Sequence, residues 1–148
     1  MAMFRADLSD VNVWVAIADP SHTHHLRAKQ YWERKAAETV GFCRITMLGL
    51  LRILTNTQSE KGRRLTTGEA WSAYRSFFAG SSGETVMLAE PPSFEHFYES
   101  LTDAPGFSPR LLTDASLAAW AMGSGARLVS FDGDFSRFPG LDWLHLTQ

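Results

Sequence analysis

Three aspartates far apart in the chain stand where carboxylates can meet: Asp10, Asp114 and Asp132. Asp10 closes the segment 7–10, which reads as the end of a short strand. Asp132 follows the apolar run 126–131 and opens the acidic group Asp132-Gly133-Asp134. Asp114 lies near the start of a helical stretch, where the positive end of the helix dipole favours a carboxylate. Open parallel sheets bind ligands in the crevice at the carboxyl ends of their strands, so residues at strand exits and following helix starts face one edge. Unpaired carboxylates brought together there repel, by about 3 kcal/mol per pair at ~5 Å and an effective dielectric near 20. A bound cation removes the conflict. Oxygen ligands with no cysteine or evident histidine partner suit Mg²⁺ or Mn²⁺ rather than zinc. Such an ion lowers the pKa of bound water and neutralises a phosphate under in-line attack, so the expected chemistry is phosphodiester hydrolysis. Taken singly, each acid also reads as a cap, a dipole partner or a turn former.

The elements that would carry these acids alternate between extended and helical patterns. After 7–10 the chain stays apolar over 11–18 until Asp19-Pro20 stops it. An amphipathic helix is expected over 22–38, with Ser21 as a possible N-cap. A second strand is expected over 40–45, and a helix over 46–54 with Thr46 as its cap and Met47, Leu50, Leu51 and Leu54 as its apolar stripe. A polar loop over 58–66 leads to a helix over 67–79. A third strand, 84–88, ends before Pro91-Pro92, and a helix over 93–101 shows Phe94, Phe97 and Leu101 on one face. After a loop over 106–110 come a helix over 111–122 entered near Thr113, a strand over 126–131 and a last strand over 143–146. The pattern predicts one α/β domain over 1–148, three-layered, with a central, mostly parallel sheet of four to five strands.

The 148 residues carry a formal charge of -2, so no global field draws a polyanion and any nucleic-acid binding needs a local basic patch. Lys61, Arg63 and Arg64 form one such cluster, or a solvated loop. Arg52, Thr55 and Asn56 fall on one helix face able to reach a phosphate or ribose, or they close the helix. His22, His24 and His25 lack zinc spacing and read as a polar helix start. The tryptophans read as core. The single cysteine, Cys43, excludes an internal disulfide and reads as a buried strand thiol. No apolar stretch approaches the roughly 20 residues that span a bilayer, and no apolar signal core opens the sequence, so a cytoplasmic protein is expected.

Asp10-Val-Asn12-Val with Ala16, Thr113-Asp114-Ala-Ser-Leu-Ala-Ala119 and Leu128-Val-Ser-Phe-Asp132-Gly-Asp134-Phe together resemble the PIN-domain family in order and spacing. His22-Thr-His24-His25, the stretch from Thr46 to Asn56 and Phe138-Pro-Gly-Leu141 make the chain similar to the VapC toxins of bacterial toxin–antitoxin pairs. The resemblance implies a Mg²⁺- or Mn²⁺-dependent endoribonuclease acting on tRNA or rRNA. It further implies a homodimer paired through its early helices and neutralised by a small VapB-like antitoxin whose tail covers the acidic pocket. It assigns Asp10, Asp114 and Asp132 to the metal, Asp134 to a fourth or outer-shell acid, and Asn12, Ser130 and Thr113 to support. One departure stands out: many family members carry a glutamate at the position that is Gly49 here. That departure motivates a competing expectation, a catalytically weakened scaffold that only binds RNA or a partner. A receiver or haloacid-dehalogenase-like fold would cluster acids similarly but uses a late lysine, and the lysines here are Lys29, Lys35 and Lys61.

Overall fold

A computed structural model describes residues 5–56, 64–79 and 84–147. Five strands, β1 (Ala6–Ser9), β2 (Thr39–Phe42), β3 (Glu84–Met87), β4 (Arg127–Ser130) and β5 (Trp143–His145), pair entirely in parallel in the order β3-β2-β1-β4-β5. The sheet is thus five-stranded and fully parallel, within the sequence expectation. Its central strand β1 is buried along its whole length and is flanked on both sides, which fixes Asp10 at the middle of the sheet's carboxyl edge.

Side chains alternate across the sheet, and the two faces have separate cores. Ala6, Leu8 and Leu128 pack under α5 (Phe94–Thr102) and α6 (Leu112–Ser124), with Leu117, Trp120 and Phe135. Val40 and Phe42 face the other way, against α1 (Val11–Ala18), α3 (Arg44–Thr55) and α4 (Thr67–Ser76). There Trp14 stacks on Phe42 at 3.9 Å between centroids and meets Phe77 edge to face at 4.7 Å. Val13, Tyr31, Val129 and Leu146 complete this layer. The all-round apolar α6 follows from its place between α5 and the sheet; it ends at Gly125, whose φ of 66° is the left-handed cap that glycine adopts without strain.

The structure departs from the sequence reading at several boundaries. Residues 11–18 are a helix, turning away from the sheet immediately after Asp10. The single helix expected over 22–38 is α2 (His25–Gln30) followed by a π-turn over Tyr31–Lys35. Ser21 does not cap it: Ser21 donates to Asp19, and the cap position is His24, whose side chain makes no capping hydrogen bond. The second strand ends at Phe42, because Cys43 is the N-cap of α3. Thr46 sits inside that helix and accepts from the Cys43 amide at 2.9 Å in a capping box. Cys43 is buried as expected, at a helix cap rather than in a strand. Among the described residues no helix is long and apolar enough to cross a membrane.

Candidate metal centre

The acidic residues gather at the carboxyl edge of β1 and β4. Asp10 caps α1: one carboxylate oxygen accepts from the Val11 amide at 2.7 Å, and the other from the Ser130 hydroxyl at 2.7 Å. Ser130, the last residue of β4, is a hub. Its oxygen also accepts from the Asn12 amide group at 3.2 Å and from the Asp132 backbone amide at 2.9 Å. Asn12 turns its carbonyl oxygen to the Phe131 amide at 3.3 Å, so the first turn of α1 is bolted to the turn after β4. Asp132 in turn caps the short 3₁₀ turn Gly133–Arg137 by accepting from the Asp134 amide at 2.9 Å. Asn12 and Ser130 thus orient Asp10 and Asp132 through hydrogen bonds. Thr113 is exposed on α6 and contributes its carbonyl to the Ser116 hydroxyl.

Asp114 enters from the first turn of α6. One carboxylate oxygen each from Asp114, Asp132 and Asp134 lie within 4.8 Å of one another. This closest trio includes Asp134, which the sequence reading placed at the margin, whereas Asp10 borders it. Asp10 remains electrostatically part of the group. Burial raises the affinity of the Asp10 carboxyl for a proton, against the hydrogen bonds from Ser130 and Val11, and the Asp132 charge adds to the rise. Asp114 is pushed up to about 6, by burial first and then by the charges of Asp10, Asp132 and Asp134, with Arg110 opposing. The like-charge part of these shifts is the field that would also attract a cation.

Asp134 behaves oppositely. Arg110 donates to one of its oxygens at 3.2 Å and Arg137 to the other at 3.3 Å, and the Arg110 hydrogen bond leads the interactions that hold its carboxyl below the usual range. Neither arginine was singled out from the sequence. The available signal was the i, i+3 spacing of Asp134 and Arg137; nothing local pointed to Arg110. A groove of about 420 Å³ beside the pocket, lined by Phe97, Phe107, Leu111 and Phe138, shares Arg137 with it but carries no acid.

Of the residues expected to touch RNA, the described ones lie on the last turns of α3 and just beyond, where the Leu65 amide donates to the Leu54 carbonyl at 3.0 Å. Arg52 is exposed on α3, Asn56 is the C-cap of that helix and Arg64 is exposed; Lys61 and Arg63 lie outside the described residues. The histidine tract has local roles, with His25 bonded to the Ala16 carbonyl at 2.7 Å and His24 stacked on Phe131 at 4.6 Å. Gly49 faces α1: a Cβ there would lie 2.6 Å from Val11 Cγ2, so α3 closes on the residue following Asp10 and leaves no room for a side chain.

The sequence pattern of the PIN domain matches residues 8–141. Ribonuclease VapC41 of Mycobacterium tuberculosis is 34% identical over 142 residues, covering 91% of this chain and 94% of the relative. Ribonuclease VapC33 of the same organism is 27% identical, covering 92% and 94%. Among solved structures, VapBC-1 from nontypeable Haemophilus influenzae superposes with a TM-score of 0.69 at 14% identity, covering 97% of this chain and 99% of that one. Mycobacterium tuberculosis VapC20, a sarcin-ricin loop cleaving toxin, gives a TM-score of 0.62 at 18% identity, covering 88% and 92%. These likenesses of fold accompany a sequence match over 91% of the chain, and the chain belongs to the PIN-domain family, among the VapC ribonucleases.

Proposed function

We propose that this protein is an endoribonuclease toxin that hydrolyses phosphodiesters of tRNA or rRNA, with Mg²⁺ or Mn²⁺ held in the acidic pocket. The observation that carries this reading is the convergence of Asp114, Asp132 and Asp134 within 4.8 Å, beside Asp10. The donor set fits such an ion: it consists of carboxylates alone, with neither sulfur nor imidazole in the cluster. Asp10, Asp114 and Asp132 would hold the metal, and Asp134 adds a flanking carboxylate. When bound, the ion supplies charge neutralisation at the phosphate and a more acidic water.

The chain's own residues prepare that site. Ser130 and Asn12 hold the Asp10 carboxylate and the turn carrying Asp132 in one frame, which limits the rearrangement needed on substrate arrival. Asp114, on a different element, closes the pocket from the start of α6. A VapB-like antitoxin is the expected partner, since the structural neighbours include VapBC complexes such as that of Haemophilus influenzae. Exposed Leu48 and Ile53 on α3, with Trp71 on α4, support a homodimer through these helices.

The decisive experiment is mapping of RNA 5′ ends after induced expression in cells, paired with cleavage by purified protein. New ends that disappear in Asp114→Asn, and cleavage in vitro that stops in EDTA, are expected. Undiminished cutting by highly purified protein in excess EDTA would overturn the reading.

A further inference from the structure

The two arginines on Asp134 have a placement that fold stability does not account for. Arg110 comes from the 3₁₀ turn Pro109–Leu111 that leads into α6, and Arg137 from the end of the turn that follows β4. They converge on opposite oxygens of one carboxylate, at 3.2 and 3.3 Å, with both side chains 59% exposed. Exposed ion pairs of this kind contribute little to folding, so their consequence is position: two guanidinium groups are held at the rim of an acidic pocket. An arginine has five N–H donors in a planar fork. Each donates once to Asp134, and each side chain remains more than half exposed.

We propose that Arg110 and Arg137, oriented by Asp134, grip a phosphate of the RNA beside the scissile bond. The inference rests on the ribonuclease reading above and deepens it. The pocket alone repels its substrate, because four carboxylates face a polyanion. Two guanidiniums at its edge supply the compensating charge, and the two non-bridging oxygens of a phosphodiester match a guanidinium fork as a carboxylate does. Asp134 is then a positioning residue: it keeps two like-charged groups side by side and aimed past itself. The arrangement also separates duties within the pocket, since the acid tied to both arginines is the one whose charge is already balanced.

The test is binding of a short, fluorescently labelled mixed-sequence RNA in EDTA, followed by anisotropy across a salt series. Arg110→Gln and Arg137→Gln should each weaken binding about tenfold at low salt. Each should also lower the slope of log affinity against log salt, and the double variant should lower it by about 0.7, the value for one lost phosphate contact on a single strand. Arg137→Lys should keep the slope while losing affinity, because charge is retained and the fork is not. Melting temperatures should stay within about 2 °C of wild type, as exposed pairs predict. If wild type binds and both glutamine variants bind equally well with unchanged slope, the arginines are only surface ion pairs and the inference falls alone. If wild type binds no RNA at any salt, the inference falls together with the ribonuclease reading.

Discussion

β1 and β4 carry two acidic centres, one at each end of the same strand pair, and they differ most in the charge of the groups that face each acid. At the amino-terminal end Asp7, fully buried, stands opposite Arg127 in the strand register and receives two hydrogen bonds from its guanidinium, both at 2.9 Å. Tyr31 donates to it at 2.6 Å and the Ala37 amide at 3.1 Å, so its charge and lone pairs are satisfied. Three residues on, Asp10 has only neutral donors and faces Asp114 and Asp132 as like charges. One aspartate locks the π-turn over Tyr31–Lys35 onto the sheet; the other stores repulsion that a cation relieves. On the proposed reading, a cationic partner separates the structural carboxylate from the one left for chemistry.

The largest effect should come from breaking the satisfied end. Arg127→Met leaves Asp7 buried without its partner, which should cost about 3–5 kcal/mol and lower the melting temperature by roughly 10 °C. Calorimetry and urea titration would read this, and a variant as stable as wild type would show that Asp7 does not depend on Arg127. Asp114→Asn tests the other end. RNA cleavage should fall by about 10²-fold or more, a loss of roughly 3 kcal/mol of transition-state stabilisation, while the metal-free protein melts no lower than wild type. Added Mn²⁺ should raise the melting temperature of wild type more than that of the variant. A variant that melts lower without metal and gains equally from Mn²⁺ would make Asp114 a structural residue.

A third change probes the contact between α3 and α1 beside Asp10. Gly49→Glu places a Cβ 2.6 Å from Val11 Cγ2. Overpacking of this kind should cost about 1–3 kcal/mol, measured by urea titration, and the added acid should not raise cleavage. Higher activity with unchanged stability would show that the helix can yield and that a further carboxylate improves the pocket.

The smallest effect is in pH. The Asp114 carboxyl is pushed up to about 6 in the folded protein from its ordinary value of 3.8. A raised folded value means that its stabilising contribution is fully present below the unfolded value and is lost as pH rises through about 6. Metal-free Asp114→Asn, which mimics the protonated acid, should therefore match wild type near pH 4 and exceed it by ~1 kcal/mol at pH 7, after allowance for solvent screening. Parallel urea titrations at the two pH values read the difference; a constant gap would remove Asp114 from the like-charge group.

Much of this was legible in the residues themselves. Alternating patterns with short apolar strands dictated a parallel α/β sheet, and acids placed after strands or at a helix start share its carboxyl edge for any such connectivity. Asp10, Asp114 and Asp132 could therefore be selected without coordinates. Local pattern could not separate the strand ending at Ser9 from the helix beginning at Val11, because a four-residue strand shows too little periodicity and the boundary is the Asp10 cap, which resides in a hydrogen bond rather than a hydrophobic period. Long-range pairing was equally out of reach. That Asp7 meets Arg127, that Ser130 joins Asp10 to Asp132, and that Arg110 and Arg137 share Asp134 are consequences of β1 lying against β4 and of α6 crossing above them. Charge is a property of the residue, but whether it is balanced depends on what the fold brings within a few ångströms, and for these aspartates only the tertiary structure decided that.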